Sequence, residues 1–417
     1  MLLRRSSNSG AAPTAARLLW GLLVSGALPH PPRLHARAYA TTTPIADDVQ
    51  SPPIHPPAPT FAIVRAVSRA FADAIASTSP VHGRIDAERA AEQHARYLSV
   101  LREAASSSSP PLRLVELDAP DDLPDACFVE DTAVVVPGAW LPRGRQAAAT
   151  ASPPPKAVAV VARPPAPSRA REPEAVARAL RGHPDVSRAV EVVGEIAAPG
   201  TLDGGDVLIL PPADADADAD AGADADADAA PTTTVLVGLS ERTNAAGAAQ
   251  LRDLLAPRGV RVVPVPLAAA LARAPGLQQD ASSPPHHFRP LHLKSAVTAL
   301  SADVLLCADG PAGRAIAAAV HGALLRAGGS SAPAAAARSA AAPVRLPTFA
   351  FLPEADAGAA NVLLLGDAVV AQPSAPEARA VLEFLCGRLN RRLVLLDPPL
   401  TEMQKADGAL TCCSILF

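Results

Sequence analysis

The stretch from residue 234 to 265 reads TVLVGLSERTNAAGAAQLRDLLAPRGVRVVPV, and its pattern indicates the fold class. An apolar run, TVLVGLS, is followed by a helix-like segment from Asn244 to Leu255 and then by a second apolar run, VRVVPV. Short apolar runs bounded by turn residues are typical of buried strands, whereas the intervening segment is long enough for a helix. The stretch therefore predicts a strand, a helix and a second strand.

The same alternation continues on both sides of this unit. A periodic helix is expected from Glu88 to Leu101, with His94, Tyr97 and Leu98 on one face. About five short strand-helix units follow one another, which predicts an α/β fold. The other strand-like runs are FAIVRAV (61–67), LRLVEL (112–117), CFVEDTAVVV (127–136), AVAVVAR (157–163), DVLIL (206–210), DVLLCA (303–308), LPTFAFL (346–352), NVLLLGDAVVA (361–371), RRLVLLD (391–397) and LTCCSILF (410–417).

Charge and cysteine content narrow the class of function. The net charge is −4, and the chain has no lysine-rich face or basic stretch interleaved with aromatic residues, which argues against a nucleic-acid partner and favours a small-molecule substrate.

The five cysteines are an odd number, widely spaced and without a CxxC pair. This usage argues against structural disulfides and structural zinc, and it predicts a reducing compartment with a free thiol.

The N-terminal segment resembles a targeting sequence. It contains five arginines and no acidic residue before Asp47, a composition typical of mitochondrial import. Arg37 and Tyr39 fit a processing site with cleavage after Tyr39. A secretory signal built on Leu18 to Leu28 is the alternative, although that run is too short to span a bilayer. We expect a mitochondrial protein without a membrane-embedded part, with the cytoplasm as the alternative location.

Composition also predicts the domain boundaries. Residues 1–39 are expected to be a disordered transit peptide, residues 40–59 a Pro-rich linker, and residues 60–417 a single catalytic domain. Four stretches interrupt the strand-helix pattern and are expected to be solvated, disordered insertions, one of which is an Asp-Ala repeat whose like charges repel one another. These insertions lie at about 138–156, 211–232, 268–289 and 327–345.

Two cysteines near the C-terminus are candidates for chemistry. Cys412 and Cys413 follow Thr411 in a segment that we expect to be a final strand. Successive side chains of a strand point to opposite faces, so one thiol could be packed while the other opens to a cavity. The alternative is that both are small buried residues without a chemical role.

Several acidic residues stand next to apolar strands. Asp125, Glu130 and Asp131 flank the VVV run and are costly to bury unless a cation meets them; otherwise they mark an exposed strand end. Asp203 and Asp206 surround two glycines in TLDGGDVL, a pattern that fits a catalytic loop, a metal loop or a plain turn.

His292 and two loop arginines complete a consistent set. Arg169 and Arg242 could each bind a carboxylate through a forked guanidinium, although a lone histidine such as His292 is more often structural. A planar cation needs carboxylates around it, and an amino-acid carboxylate needs arginines. Cleavage of a C–N bond in a guanidinium needs a strong nucleophile and a proton donor for the amine. The candidates supply each of these parts.

Six motifs, in order, resemble the dimethylarginine dimethylaminohydrolase family. The resemblance covers the chain from about Phe61 to the C-terminus, except for the insertions. The chain departs from the family pattern where Leu267 to Leu291 separate the VPV strand from His292. The resemblance implies a five-bladed α/β propeller of the guanidine-modifying (pentein) superfamily, with the active site on the central axis. The motifs are LPDACFVEDTAVV, RPPAPSR, TLDGGDVL, VGLSERTN, HLKS and DGALTCCS.

The resemblance also implies a catalytic set and a reaction. Cys412 would be the nucleophile, His292 the general acid and base, and Asp203 the residue that orients His292. The substrate would be a methylated arginine, converted through an S-alkylthiouronium on Cys412 to citrulline and methylamine or dimethylamine, a step in arginine metabolism and nitric oxide regulation. Cofactors are not required by this chemistry, although zinc, as an inhibitor, would suit the thiolate and imidazole of Cys412 and His292.

The same family pattern implies substrate contacts, and two other functions remain open. An arginine deiminase-like hydrolase would use similar chemistry in a different pocket, and a non-catalytic arginine-binding protein would use the pocket alone. The oligomeric state is not indicated. The residues implied to bind substrate are Glu130, Asp131 and Asp407 for the guanidinium, Arg169 and Arg242 for the carboxylate, Asp125 and main-chain groups near Ala406 for the α-amino group, and Phe128 for the wall around the methyl groups.

Overall fold

Five three-stranded sheets with one shared pairing pattern form the fold. The computed structural model describes residues 57–75, 83–106, 108, 110–142, 155–211, 233–274, 277, 290–328, 346–373 and 375–417. All of these lie in one compact unit, Pro53–Phe417. The strands are β1 (Phe61–Arg65), β2 (Arg113–Leu117), β3 (Ala133–Val136), β4 (Ala157–Val161), β5 (Val190–Glu195), β6 (Val207–Ile209), β7 (Thr233–Gly238), β8 (Val260–Val265), β9 (Val297–Ala299), β10 (Val304–Ala308), β11 (Thr348–Leu352), β12 (Leu363–Leu365), β13 (Ala368–Ala371), β14 (Arg392–Leu395) and β15 (Ile415–Leu416).

Helices connect the parallel strands of every sheet. In each sheet the middle strand pairs antiparallel with one neighbour and parallel with the other, and a helical crossover joins the parallel pair. The α/β class predicted from the alternating pattern is therefore confirmed. The helices are α1 (Ala87–Ala104), α2 (Glu172–Gly182), α3 (Val186–Ala189), α4 (Ala245–Leu255), α5 (Leu267–Arg273), α6 (Leu293–Ala296), α7 (Gly310–Gly328), α8 (Pro376–Arg388) and α9 (Thr401–Gln404).

The unit β7–α4–β8 shows how local sequence produces these elements. Asn244 is the N-cap of α4, and its side-chain oxygen accepts a hydrogen bond from the Gly247 N–H at 2.8 Å. Gly259 ends the helical segment at φ +69°, a left-handed conformation that favours glycine. The apolar run after it forms the predicted second strand, and this strand pairs with β7 in parallel register.

The C-terminus returns to the first strand. In the sheet β15-β1-β2, Ile415 pairs with Ile63, and the rings of Phe61 and Phe417 stack with centroids 5.5 Å apart. The hydrogen bonds between β1 and β15 thus anchor the segment that follows Cys412 and Cys413.

Two strand predictions are wrong in extent. The run 127–136 becomes a strand only at Ala133, because Pro124–Cys127 and Val129–Thr132 form tight 3-10 turns that turn the acidic side chains into the protein. Cys412 and Cys413 lie in another such turn, Thr411–Cys413, and the strand that follows is only Ile415–Leu416. The expected alternation of the two thiols across a strand therefore does not occur.

The predicted insertions fall mostly outside the described residues, as do the predicted transit peptide and nearly all of the linker. The helix α5 (Leu267–Arg273) occupies the beginning of the third predicted insertion, and α7 (Gly310–Gly328) extends two residues into the fourth. A 3-10 turn, Gly138–Trp140, occupies the start of the first. Across the residues that the structure describes, no helix is long and apolar enough to cross a membrane.

Candidate active site

Buried polar side chains stand just before the antiparallel edge strand of every sheet. These strands are β3, β6, β9, β12 and β15. Buried polar groups need partners, so their recurrence at one end of five strands indicates a shared site. The residues concerned are Glu130 and Asp131 before β3, Asp203 and Asp206 before β6, His292 before β9, Asn361 before β12, and Thr411 and Cys412 before β15.

The turns that hold these residues contact one another in sequence. The turn Thr411–Cys413 packs against Val129–Thr132, which in turn packs against Gly204–Asp206. That glycine-containing turn then contacts α6, the helix that begins directly after His292. Four motifs that are far apart in the sequence thereby form one neighbourhood.

His292 lies among three carboxylates. Its Nε2 is 3.2 Å from Asp203 Oδ2, and the Leu293 N–H donates to Asp206 at 3.1 Å. Burial disfavours the imidazolium, but the charge of Asp131, the hydrogen bond to Asp203 and the charge of Asp206 outweigh burial and raise the pKa of His292 to about 9. His292 is therefore positioned to carry a proton at neutral pH.

Glycine makes this approach possible. A Cβ at Gly205 would lie 2.8 Å from the His292 ring atom Cγ, so only glycine leaves room for the imidazole. The Gly205 N–H also donates to Asp131 Oδ1 at 3.0 Å. One carboxylate oxygen from each of Asp131 and Asp203 and one ring nitrogen of His292 lie within 4.8 Å of one another, close enough that the three groups could hold a metal ion. Asp203 Oδ1 has no hydrogen-bond partner in the part of the chain described.

Asp131 belongs to a buried ion network with Arg169. The Arg169 Nη1 donates to Asp131 Oδ2 at 2.8 Å, while its Nε and Nη2 donate to Glu172 Oε2 at 2.9 and 2.8 Å. Burial opposes ionisation of Asp131, yet the charges of His292 and Arg169 lower its pKa to about 2. Burial instead raises the pKa of Glu172 to about 7. Most of the Arg169 donors are thus already used by protein acceptors.

Glu130 connects α6, the helix that begins after His292, to the turn Thr411–Cys413 that contains Cys412. Lys294 Nζ donates to Glu130 Oε1 at 2.6 Å, and Thr411 Oγ1 donates to Glu130 Oε2 at 2.9 Å. Asn361 crosslinks the same groups, because it donates to the Lys294 carbonyl at 2.9 Å and accepts from the Thr411 N–H at 3.0 Å. The carboxylate of Glu130 is consequently fixed from two sides.

Cys412 is buried beside this acidic group. Burial and the negative charges of Glu130 and Asp131 raise the pKa of its thiol well above the usual value. The neighbouring Cys413 is buried as well, and its Sγ donates to the Ala409 carbonyl oxygen at 3.6 Å. The charge of Asp131 acts on both Cys412 and His292, which is consistent with one shared site.

Asp125, Arg169 and Arg242 share a second neighbourhood. Burial raises the pKa of Asp125, while the Ile75 N–H, at 3.1 Å from both carboxylate oxygens, and the charges of Arg169 and Arg242 act against the rise. Arg242 is half-buried, and its guanidinium makes no hydrogen bond or ion pair with the residues described here. Within this second neighbourhood, Arg242 therefore has guanidinium donors that no described residue uses.

The segment before Cys412 packs on Phe128. A Cβ at Gly408 would lie 2.3 Å from Phe128 Cε1, so the ring occupies the space that a larger residue would need. Asp407 adopts a left-handed φ of +58°, and Ala406 is buried. Phe71 contacts the same ring edge-on, with centroids 5.8 Å apart. Phe128 is therefore held on both sides.

Sequence reasoning missed several groups that hold the site together. Lys294 and Thr411 stand inside the motifs HLKS and DGALTCCS, so their position next to His292 and Cys412 was a signal that could have been used. Asn361 and Glu172 carry no such signal, because only the folded chain brings them to the site. Arg169 also differs from expectation, since Asp131 and Glu172 bind most of its fork.

The chain is similar in sequence to a known enzyme. No protein-family model matches the chain. An N(G),N(G)-dimethylarginine dimethylaminohydrolase from Streptomyces coelicolor is 31% identical over 301 residues, which cover 72% of this chain and 78% of that protein.

Solved structures share the fold. A dimethylarginine dimethylaminohydrolase adduct with S-methyl-L-thiocitrulline has a TM-score of 0.52 and 22% identity, and it covers 86% of this chain and 100% of its own. The Pseudomonas aeruginosa enzyme in complex with citrulline gives the same values. The N-terminal domain of ArgZ, a cyanobacterial arginine dihydrolase bound to product, has a TM-score of 0.50 and 14% identity over 85% of this chain and 96% of its own.

These findings, together with the buried thiol, imidazole and carboxylates, define a hydrolase that acts on guanidino groups. Within that class, the chain belongs to the dimethylarginine dimethylaminohydrolase family. The family predicted from the six motifs is thereby confirmed.

Proposed function

We propose that the protein hydrolyses asymmetric dimethylarginine and monomethylarginine to citrulline and dimethylamine or methylamine. The observation that carries the proposal is an excess of buried acids around His292 and Cys412. Asp125, Glu130, Asp131, Asp203 and Asp206 are all buried, and with Glu172 they outnumber the basic side chains that face them, which are Arg169, Arg242, His292 and Lys294. Such a pocket favours a bound cation, and a guanidinium is planar and offers donors to several carboxylates at once.

In the proposed reaction Cys412 is the nucleophile. The raised pKa keeps its thiol neutral before substrate binds. The positive charge of a bound guanidinium would offset Glu130 and Asp131, so that the thiol releases its proton to solvent and becomes the thiolate. The thiolate forms a bond to the guanidinium carbon. His292, oriented by Asp203, then protonates the amine as its C–N bond breaks, and an S-alkylthiouronium remains on Cys412.

The second half of the proposed reaction uses the same groups. His292 removes a proton from a water molecule, which adds to the thiouronium carbon, and the C–S bond breaks to release citrulline and the Cys412 thiol. No step requires a cofactor. Zinc bound to Cys412 and His292 would block both steps, because the nucleophile and the acid-base group would serve as its ligands.

The substrate contacts are proposed from the two neighbourhoods of the site. Arg242 is the principal partner for the substrate carboxylate, and Arg169 adds its charge while it also positions Asp131. Glu130 and Asp131, with Asp407, would surround the guanidinium. Asp125 and main-chain groups near Ala406 would accept from the α-amino group, and the Phe128 ring would contact the methyl groups.

A citrulline assay on the purified protein tests this proposal. Cys412→Ser and His292→Ala should each lower kcat by roughly a thousandfold or more, because each removes a group that makes or breaks a bond. Cys413→Ser is the matched control, since its thiol is equally buried but faces the Ala409 carbonyl, and it should retain activity. Wild-type turnover by Cys412→Ser would refute the assignment of the nucleophile.

The related arginine-modifying enzymes supply the second candidate function. The ArgZ domain shares the fold, so an arginine hydrolase of the deiminase type is the alternative. Parallel measurements on dimethylarginine and on arginine separate the two functions. Ammonia released from arginine as the main product would favour the alternative, and tight binding without turnover would indicate a non-catalytic arginine-binding protein.

We further propose that the five sheets are blades arranged around one axis and that the active site lies on it. Two observations support the blade arrangement: the shared pairing pattern, and a cavity of about 580 Å³ lined by residues of β3, β6, β9, β12 and β15. The wall of this cavity includes Lys294 and Thr411 of the site but neither Cys412 nor His292. A crystal structure can test for the pseudo-fivefold symmetry. Mitochondrial import is likewise proposed from the leader composition, and mass spectrometry of the mature N-terminus tests it.

A further inference from the structure

The turn that carries Cys412 is weakly held by its own hydrogen bonds. Leu410 and Ser414 bound the turn Thr411–Cys413, and neither supplies a side-chain cap. Its two backbone bonds, from Cys413 N to Leu410 O and from Ser414 N to Thr411 O, are both 3.4 Å, at the long end of the hydrogen-bond range. A nucleophile needs more precise placement than such bonds provide, because an error of about 1 Å can cost about a hundredfold in rate.

A tyrosine from a distant helix holds both ends of this turn. Tyr97 of α1 is fully buried, and its hydroxyl lies 3.1 Å from the Leu410 carbonyl oxygen and 2.7 Å from Ser414 Oγ. Both distances are shorter than those of the turn's own backbone bonds. One side chain therefore connects the residue before the turn to the residue after it.

The direction of the two bonds follows from proton count. A carbonyl oxygen only accepts, so the single hydroxyl proton of Tyr97 goes to Leu410, and Ser414 must donate its proton to Tyr97. Burial raises the pKa of Tyr97, and the nearby Cys413 adds to the rise, so the hydroxyl remains a donor. Loss of the Tyr97 oxygen would leave the Leu410 carbonyl with only the long bond from the Cys413 N–H, and it would leave the Ser414 hydroxyl without the acceptor it has in Tyr97.

The helix that carries Tyr97 is itself tied to the chain just before Cys412. Gln93 donates to Thr401 Oγ1 at 2.7 Å and accepts from the Glu402 N–H at 3.0 Å. The Asp86 N–H donates to Glu402 Oε2 at 2.9 Å. These bonds join the first half of α1 to α9, so Tyr97 acts from a support that is fixed relative to the turn.

We propose that Tyr97 is a positioning residue for the reaction: its bonds to Leu410 and Ser414 hold the Cys412 turn so that the sulfur meets the substrate carbon. This inference rests on the proposed role of Cys412 as nucleophile. Tyr97 does not touch the substrate. Its contribution belongs to the rate of the chemical step and not to substrate binding.

The test compares Tyr97→Phe, Ser414→Ala and the double variant in the citrulline assay. Tyr97→Phe should lower kcat by about ten- to a hundredfold while KM changes less than about twofold, because only alignment is lost. Ser414→Ala should give a smaller loss. The double variant should be close to Tyr97→Phe, since the serine has no remaining acceptor there. Val100→Ala, at a fully buried position on the same helix, is the stability control.

The outcomes separate this inference from the proposed function. If the wild type releases citrulline and Cys412→Ser does not, the proposed function holds. In that case, a Tyr97→Phe variant that keeps the wild-type kcat although its Tm falls as far as that of Val100→Ala overturns the positioning role. If Tyr97→Phe does not fold, Ser414→Ala decides, and an unchanged kcat in that variant overturns the inference. A parallel fall of kcat in Val100→Ala would also overturn it, because stability alone would then explain the effect.

Discussion

At the scale of single residues, Gly408 shows how an absent side chain shapes the proposed pocket. The Phe128 ring lies where a Cβ on residue 408 would be, and Phe71 contacts the same ring edge-on. The ring cannot retreat without disturbing this contact, because protein interiors are closely packed. Phe128 therefore has one well-defined position beside the segment that leads to Cys412.

Gly408→Ala should displace Phe128 and lower kcat/KM for dimethylarginine by about tenfold, since a methyl group added to a closely packed interior forces its neighbours to shift. Steady-state kinetics on mono- and dimethylated arginine measure the effect. Gly387→Ala is the matched control, because a Cβ at this helical position meets nothing within 4 Å. It should leave kinetics unchanged, and equal losses in both variants would contradict the explanation.

At the scale of elements, the side chain of Asn244 joins the start of a helix to the segment before Asp203. Its side-chain oxygen accepts from the Gly247 N–H in α4 and from the Thr201 N–H at 3.1 Å. Its Nδ2 donates to the Pro199 carbonyl at 2.9 Å. The start of α4 and the segment that leads to Asp203 are thereby held by one side chain.

Asn244→Ala should lower the free energy of unfolding by about 1–2 kcal/mol, the usual effect of losing an N-cap. Urea denaturation at neutral pH measures the change. Arg252→Ala on the same helix removes only an exposed contact with Asp253 and should change stability by less than about 0.5 kcal/mol. A variant of Asn244 as stable as the wild type would show that the cap contributes little.

At the scale of the whole molecule, His94 makes folding sensitive to acid. Its side chain is buried in α1, its Nε2 lacks a partner among the described residues, and burial lowers its pKa to about 4. In the unfolded chain the pKa is about 6.5, so the unfolded state binds an extra proton between these values. Stability contributed by neutral His94 is therefore lost as pH falls from about 6.5 through 4.

His94→Leu should remove this loss, which amounts to roughly 3 kcal/mol at pH 4. The free energy of unfolding of the variant relative to the wild type should rise between pH 7 and pH 4.5. Denaturant titrations across this range test the prediction. Val100→Ala, on the same helix, serves as the control, because it changes buried packing without removing a titratable group, and its effect on stability should be the same at both pH values. A pH-independent difference for His94→Leu would contradict the argument.

Much of the site could be read from local sequence, and some of it could not. The resemblance of the motifs to a known family made Cys412, His292 and Asp203 candidates without coordinates, and all three are buried in the structure. Lys294 and Glu130 are 164 residues apart, and no local pattern indicates their ion pair. The turn at Cys412 was mistaken for a strand, since apolar and small residues fit both structures equally well.

The sequence by itself determined the α/β class and the family, because hydrophobic periodicity and motif composition are local properties of the chain. Tertiary structure alone decided which carboxylates are buried, how Asp131 and Glu172 share Arg169, and that Tyr97 reaches both sides of the Cys412 turn. The physical reason is that the Asp131–Arg169 and Tyr97–Ser414 contacts join residues 38 and 317 positions apart in the sequence. Their free energies depend on burial and distance, and both quantities exist only once the chain has folded.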